Sequence, residues 1–225
     1  MSKTSDMLMQ MYQAMRARFG HQNWWGADTE LEMCVGAILT QNTNWGNVKM
    51  ALANLKATDA LSISALATMP APKLAELIKP AGYFNIKAKR LKNFVTHVHK
   101  DWGDDLRGFL DRPAGALRED LLSVNGIGRE TADSMVLYAA RKCTFVVDTY
   151  TYRILLRHHL IAREDDYETI KELMESSLPC ELDLYNDYHA QLVAIGKNYC
   201  RPTAQCDECP LNVFPHDPNA GREDV

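Results

Sequence analysis

The stretch Leu121-Leu122-Ser123-Val124-Asn125-Gly126-Ile127-Gly128-Arg129-Glu130-Thr131-Ala132 decides how this chain is read. An apolar-faced helix runs into Gly-Ile-Gly and straight out into a second helix. Two glycines two apart allow a sharp turn and a close approach of the backbone to another group. The amides of Gly126, Gly128 and the start of the second helix would then point outward together, forming an anion nest at a helix start that suits a phosphate. Val124 and Ile127 would fasten the turn to the core. The same residues also read as a plain tight turn between two packed helices, and the glycines alone do not separate the two.

Working outward, the sequence predicts helix after helix. Ser5 or Asp6 caps a first helix to about Arg18, with Leu8, Met11, Tyr12 and Met15 at helical spacing, and Gly20 ends it. Thr29 starts a second helix to about Gln41, and Asn44 a third to about Leu55. Further helices are expected over Ser62–Met69, Pro72–Ile78, Lys87–His99, Ala114–Leu122, Arg129–Arg141, Thr149–His159, Tyr167–Ser176 and Asp183–Tyr199. Only Cys143–Val147 is β-like, as a short apolar link. The expected fold class is all-α, with an irregular tail from Asn212.

The chain has 225 residues, enough for one large or two small domains that fold without staples. Apolar residues make up 46% and charged residues 24%, which excludes a disordered chain. The longest strongly apolar run, Cys34–Leu39, is far too short to span a bilayer, and the N-terminus lacks the apolar core of a secretion signal. A cytoplasmic protein without a membrane partner is expected. The formal net charge of -4 favours a small-molecule enzyme over a nucleic-acid binder, because phosphate contacts usually demand basic residues. One basic cluster, Lys87, Lys89, Arg90 and Lys92, reads either as a phosphate contact or as a solvated helix face.

Two further features carry chemistry. Asp148 lies twenty residues after Gly128, behind an apolar link and at a helix start. It reads as an N-cap, or as a carboxylate that stabilises a cationic sugar and activates water. Of six cysteines, Cys34, Cys143 and Cys180 read as buried small hydrophobes. Cys200, Cys206 and Cys209 form C-x5-C-x2-C, which reads as metal binding rather than as disulfides.

VNGIGRETA followed by VVDTYTYR resembles the helix-hairpin-helix superfamily of DNA glycosylases, the endonuclease III group. The likeness extends over nearly the whole chain. It includes Leu39-Thr40-Gln41-Asn42-Thr43, where that group has its Leu-x-x-Gln stretch. Asn23-Trp24-Trp25, Gly36 to Thr43, Gly82-Tyr83-Phe84-Asn85-Ile86-Lys87-Ala88-Lys89-Arg90-Leu91 and Gly126-Ile127-Gly128-Arg129-Glu130 are closest to the 3-methyladenine DNA glycosylase branch.

The resemblance implies a two-lobed fold with DNA bound at a cleft. One helical lobe, residues 26–133, would include the hairpin. The second would join 1–25 to 134–225 and carry a Cys-rich metal loop over 200–216. It makes Asp148 the catalytic carboxylate and Gly126, Ile127, Gly128 and Arg129 the DNA-binding hairpin. Trp24, Trp25 and Trp45 become aromatic walls for a flipped, cationic alkylated base, each also readable as a core or surface tryptophan. Gln41 becomes the residue that fills the gap left by the flipped nucleotide, or a polar residue ending a helix.

Bifunctional members carry a lysine where this chain has Glu130, and a carboxylate cannot form a Schiff base. The implied enzyme is therefore a monofunctional, monomeric glycosylase. Its substrate would be an alkylated purine, such as 3-methyladenine, in double-stranded DNA. The alternatives are a glycosylase for oxidised pyrimidines or mismatches with lyase activity, and a non-catalytic DNA-binding protein. For the cysteine loop the resemblance implies a [4Fe–4S] cluster, but Pro215 stands where the family has its fourth cysteine. His216 as substitute ligand, a zinc site and loss of the metal all remain open.

Overall fold

The computed structural model describes residues 3–24 and 26–221, and among these there are helices and turns but no strand. The chain divides into two compact units. One runs from Trp25 to Lys142; the other joins Met1–Trp24 to Cys143–Val225.

The first unit is built around α2 (Glu30–Thr40), which is buried along nearly its whole length from Leu31 to Leu39. With no polar face to keep wet, it becomes the central helix. Around it lie α3 (Trp45–Ala57), α4 (Ile63–Thr68), α5 (Ala71–Leu77), α6 (Phe84–Trp102), α7 (Leu106–Leu110), α8 (Ala114–Ser123) and α9 (Arg129–Ser134). Side-chain caps start several of them. Thr29 Oγ1 accepts from the Glu32 amide at 3.1 Å, Asn44 Oδ1 from Asn47 at 3.0 Å and Ser62 Oγ from Ala65 at 3.2 Å. Helix α6 begins three residues before the expected Lys87, because Gly82 (φ 69°) and Tyr83 (φ 45°) turn the chain through the left-handed region. The apolar pattern alone gives no sign of that turn.

Two other departures have physical causes. Helix α7 was not expected; it is one turn long, started by Asp105, whose Oδ1 accepts from Gly108 N at 2.8 Å. The helix expected over Arg129–Arg141 instead widens into a π turn at Met135–Ala139, where Ala140 N bonds to Met135 O at 2.9 Å. Met135, Val136, Leu137 and Ala139 are all buried there, so packing rather than helix propensity sets the winding.

The second unit holds α1 (Lys3–Phe19), α10 (Thr149–Arg157), α11 (Tyr167–Ser177) and α12 (Leu182–Asn198). Helices α1 and α12 lock together through Tyr12, whose hydroxyl donates to the fully buried Asp187 Oδ2 at 2.8 Å and whose ring stacks on Tyr188 at 5.3 Å. The β-like Cys143–Val147 is extended but forms no ladder. Its Phe145 amide and Thr144 hydroxyl donate to Glu175 Oε1 of α11, at 2.7 and 3.1 Å. Side chains satisfy the backbone that a neighbouring strand would otherwise pair.

Two buried charges fix the first unit. Arg118 of α8 makes a two-pronged bond to the fully buried Asp133 of α9, Nε to Oδ1 at 2.8 Å and Nη2 to Oδ2 at 3.1 Å, tying the helices on either side of the hairpin. Lys87 of α6 is 1% exposed and donates Nζ to Leu39 O at 2.8 Å and Ala81 O at 2.7 Å, capping the end of α2. Burial, with help from the nearby Arg90 charge, lowers its ammonium from 10.5 to about 8.

Arg118→Ala removes both of these bonds to the buried Asp133 and is expected to cost about 3 kcal/mol in urea denaturation. A loss below about 1 kcal/mol would show that the pair does not hold the hairpin. For Lys87, the unfolded chain binds more protons than the folded one between about 8 and 10.5, so this group makes stability rise with pH across that window and adds no slope below it. The alkaline rise should therefore be smaller in Lys87→Met, measured as unfolding free energy below and inside the window.

Candidate active site

Asp148 closes the extended link and caps α10. Its Oδ1 accepts from Thr151 N at 2.7 Å and from Thr151 Oγ1 at 2.9 Å. Its other oxygen, Oδ2, lies 3.5 Å from His189 Nε2 of α12, and the two side chains are 10% and 6% exposed. Burial acts to raise the Asp148 carboxyl, but His189 and the two Thr151 donors outweigh it and hold the group below the ordinary carboxylate value. The N-cap and reactive readings of this residue are thus compatible. One oxygen serves the helix, and the other is held as an anion.

Trp24 belongs to the same unit. Its ring meets His189 edge-on, with centroids 6.4 Å apart and planes at 89°, and Lys197 Nζ lies 5.7 Å from the ring centre. A half-buried indole that already carries an ammonium near its ring can receive a cation. His189 itself could not have been found from the sequence, because one histidine on a mostly buried helix reads as core.

In the other unit, Trp45 is the first residue of α3 and packs partly buried against the core. Trp25 lies outside the described residues. At the hairpin only Gly126 needs glycine, with φ 102° and Arg90 where a Cβ would stand; Gly128 is extended at φ -91° with open space around it. Two sharply turning glycines were expected, and one suffices, because the chain has already straightened at Gly128. Val124 and Ile127 are buried as expected, while Gly128, Arg129 and Glu130 are exposed. Gln41 does not project freely. Its Nε2 donates to Gly126 O at 3.2 Å and Thr131 Oγ1 at 2.9 Å, and Arg90 Nη1 donates to its Oε1.

The basic cluster is not a charged face. Lys87 is buried, Arg90 is bound to Gln41, and Lys92 Nζ donates to the carbonyls of Leu66, Ala67 and Met69. Only Lys89 is exposed. The carbonyl ends of short helices and turns attract ammonium groups inward.

Cys200, Cys206 and Cys209 line one cavity of about 20 Å3, together with His158 and His216. Among the described residues no three His, Cys, Asp or Glu side chains are arranged to hold a metal ion. The cavity wall nonetheless holds an unusual charge. Arg157 is 3% exposed, and its partners are Cys200 Sγ at 3.1 Å and the carbonyls of Arg201, Pro202 and Ala220. Sequence reading missed this residue; its only signal is an arginine among the apolar positions of α10. The scattered cysteines divide. Cys34 is buried as expected, but Cys143 is half-buried and Cys180 is exposed beyond the end of α11.

A family model described as HhH-GPD superfamily base excision DNA repair protein matches residues 35–180. A Methanocaldococcus jannaschii protein named as a DNA repair glycosylase is 45% identical over 210 residues, covering 93% of this chain and 96% of that protein. Endonuclease III of Sulfolobus acidocaldarius is 27% identical, covering 80% and 78%. Among solved structures, the 3-methyladenine DNA glycosylase of H. pylori bound to 1,N6-ethenoadenine is 28% identical with a TM-score of 0.73, over 87% of this chain and 98% of that one. A non-covalent endonuclease III–DNA complex shares the fold at a TM-score of 0.81 and 16% identity, over 97% of each chain. No helix among the described residues is long and apolar enough to cross a membrane. The chain belongs to the HhH-GPD superfamily of base excision DNA repair proteins, and it is a DNA glycosylase.

Proposed function

We propose that this glycosylase is monofunctional and hydrolyses the N-glycosidic bond of an alkylated purine, such as 3-methyladenine, flipped from double-stranded DNA. The observation that carries the reading is Asp148, a buried carboxylate kept ionised with one oxygen, Oδ2, outside its helix cap. Cleavage passes through an oxocarbenium-like sugar, and a fixed anion beside it lowers that barrier. The same oxygen orients or deprotonates the attacking water. A purine methylated at N3 or N7 is cationic and leaves readily, so the protein need supply little acid assistance.

Trp24 supports that substrate class, since its ring already has an ammonium, Lys197, beside it, which a cationic base displaces. Trp25 and Trp45 are proposed as further walls and Gln41 as the wedge. Gln41 must first leave its bonds to Gly126 and Thr131. The hairpin binds the DNA backbone through the amides of Gly126, Gly128 and Arg129, while Ile127, whose amide donates to Val124 O at 3.0 Å, pins the turn to the core. Glu130 stands exposed where lyase-competent relatives carry an amine, which rules out imine chemistry at that position. The enzyme acts as a monomer on DNA in the cytoplasm.

The cysteine loop is proposed to hold a [4Fe–4S] cluster through Cys200, Cys206 and Cys209. Arg157 supports this. A buried guanidinium is costly without an anion, and among the described residues its side-chain partner beside the carbonyls is a cysteine sulfur. His216 is proposed as the fourth donor, because its Nδ1 lies 2.8 Å from Phe214 O, which leaves Nε2 to ligate. When bound, the cluster supplies cross-linking of the loop and no step of hydrolysis. Arg157 meanwhile fixes the loop through the carbonyls of Arg201 and Pro202.

Duplex DNA treated with dimethyl sulfate is the test substrate, with released bases separated by chromatography. Wild type should release methylated purine, and Asp148→Asn should slow release by about a hundredfold or more. Borohydride should trap no covalent DNA adduct; a trapped adduct would overturn the monofunctional reading. Protein purified without added metal should be brown and contain iron and sulfide. Colourless protein free of both would sink the cluster.

A further inference from the structure

We propose that His189 is a positioning residue for Asp148, holding its Oδ2 in the ionised, reacting orientation. This rests on the reading of Asp148 as the catalytic carboxylate. The argument starts from what each carboxylate oxygen touches. Oδ1 is fixed by both donors of Thr151 within α10. Oδ2 has nothing from its own helix and faces Nε2 of His189, on α12, at 3.5 Å. A buried carboxylate with one unsupported oxygen drifts toward its neutral form, and a neutral acid cannot stabilise a cationic sugar.

The imidazole is well placed to prevent this. It is 5% exposed, and its ring stands edge-on to Trp24, so rotation away from the carboxylate would meet the indole. Charged and titratable groups face the pair from several elements. Asp148 faces His189 from α12 and the Thr151 hydroxyl from α10; His189 faces Asp148 and Trp24; Lys197 lies by the Trp24 ring. An imidazolium 3.5 Å from Oδ2 favours the carboxylate anion, and an Nε2–H turned toward Oδ2 aims it.

These two effects separate in two substitutions. Leu packs against Trp24 but has neither donor nor charge; Gln keeps a donor and loses the charge. Single-turnover release of methylated base from dimethyl sulfate-treated duplex DNA is followed across pH with the full chain in excess. His189→Leu should be slower by roughly tenfold near neutrality, with its acid limb moved up by about one pH unit. His189→Gln should recover most of the neutral-pH rate while its acid limb stays shifted. Binding to a duplex bearing a tetrahydrofuran abasic analogue should change by less than about twofold in both variants.

An unchanged His189→Leu beside an inactive Asp148→Asn overturns this proposal alone. Equal losses in both His189 variants with the acid limb unmoved reduce the imidazole to packing and also overturn it. An active Asp148→Asn overturns the catalytic reading of the carboxylate and this proposal with it. Should His189→Leu not fold, the acid limb of His189→Gln decides: shifted supports, unshifted refutes.

Discussion

Helices α10 and α12 approach each other closely only because α12 presents no side chain at one point of contact. Gly196 faces the ring of Tyr150, and a Cβ there would overlap that ring. Tyr150 lies two residues after Asp148, and Gly196 lies seven residues, about two helical turns, after His189. The glycine therefore sets the distance at which the capping carboxylate of one helix meets the imidazole of the other. Polar groups within the unit add to this. Tyr188, beside His189 in α12, donates its hydroxyl to Leu8 O at 2.9 Å, and Gln191 Nε2 donates to Gly20 O at 2.6 Å. These bonds tie α1 and the start of the Trp24 segment to the helix that carries His189. Asp148, His189 and Trp24 are thus placed by one helix packed against two partners.

The other unit handles its charges in a way that resolves the apparent conflict between a net charge of -4 and a DNA substrate. Lys87 and Lys92 are turned onto backbone carbonyls, Arg118 onto Asp133, and Arg90 onto Gln41. These cations serve the fold, so the basic total of the chain says little about how it holds phosphate. The hairpin is proposed to supply a different device. Gly128 starts α9 without a side chain over the helix end, and no cap from its own side chain competes for the first amides. Backbone donors do not appear in a count of lysines and arginines.

Several helix starts were legible because a cap acts within three residues of itself: Thr29, Asn44 and Ser62 begin helices as their local chemistry dictates, whereas Ser5 and Asp6, expected as caps, lie inside α1, and α6 starts ahead of Lys87. The π turn at Met135–Ala139 was not, since its winding answers to buried neighbours far away in sequence. The site divides along the same line. The cap made by Asp148 was legible because it is local. His189 and Arg157 were not, since each acquires a role only from the segment packed against it. The basic run of α6 misled for the converse reason, as local charge says nothing about which carbonyl ends lie within reach.

Arg157 carries this reasoning furthest. A guanidinium is ionised in any folded protein, so its burial demands an anion or a full set of acceptors. Three carbonyls accept its hydrogens, but carbonyl dipoles alone leave the charge itself uncompensated. The remaining partner is Cys200 Sγ, the first cysteine of C-x5-C-x2-C. That sulfur lines the same cavity as Cys206 and Cys209. The buried guanidinium thus reaches the same loop that the cysteine spacing marks, through a contact independent of that spacing.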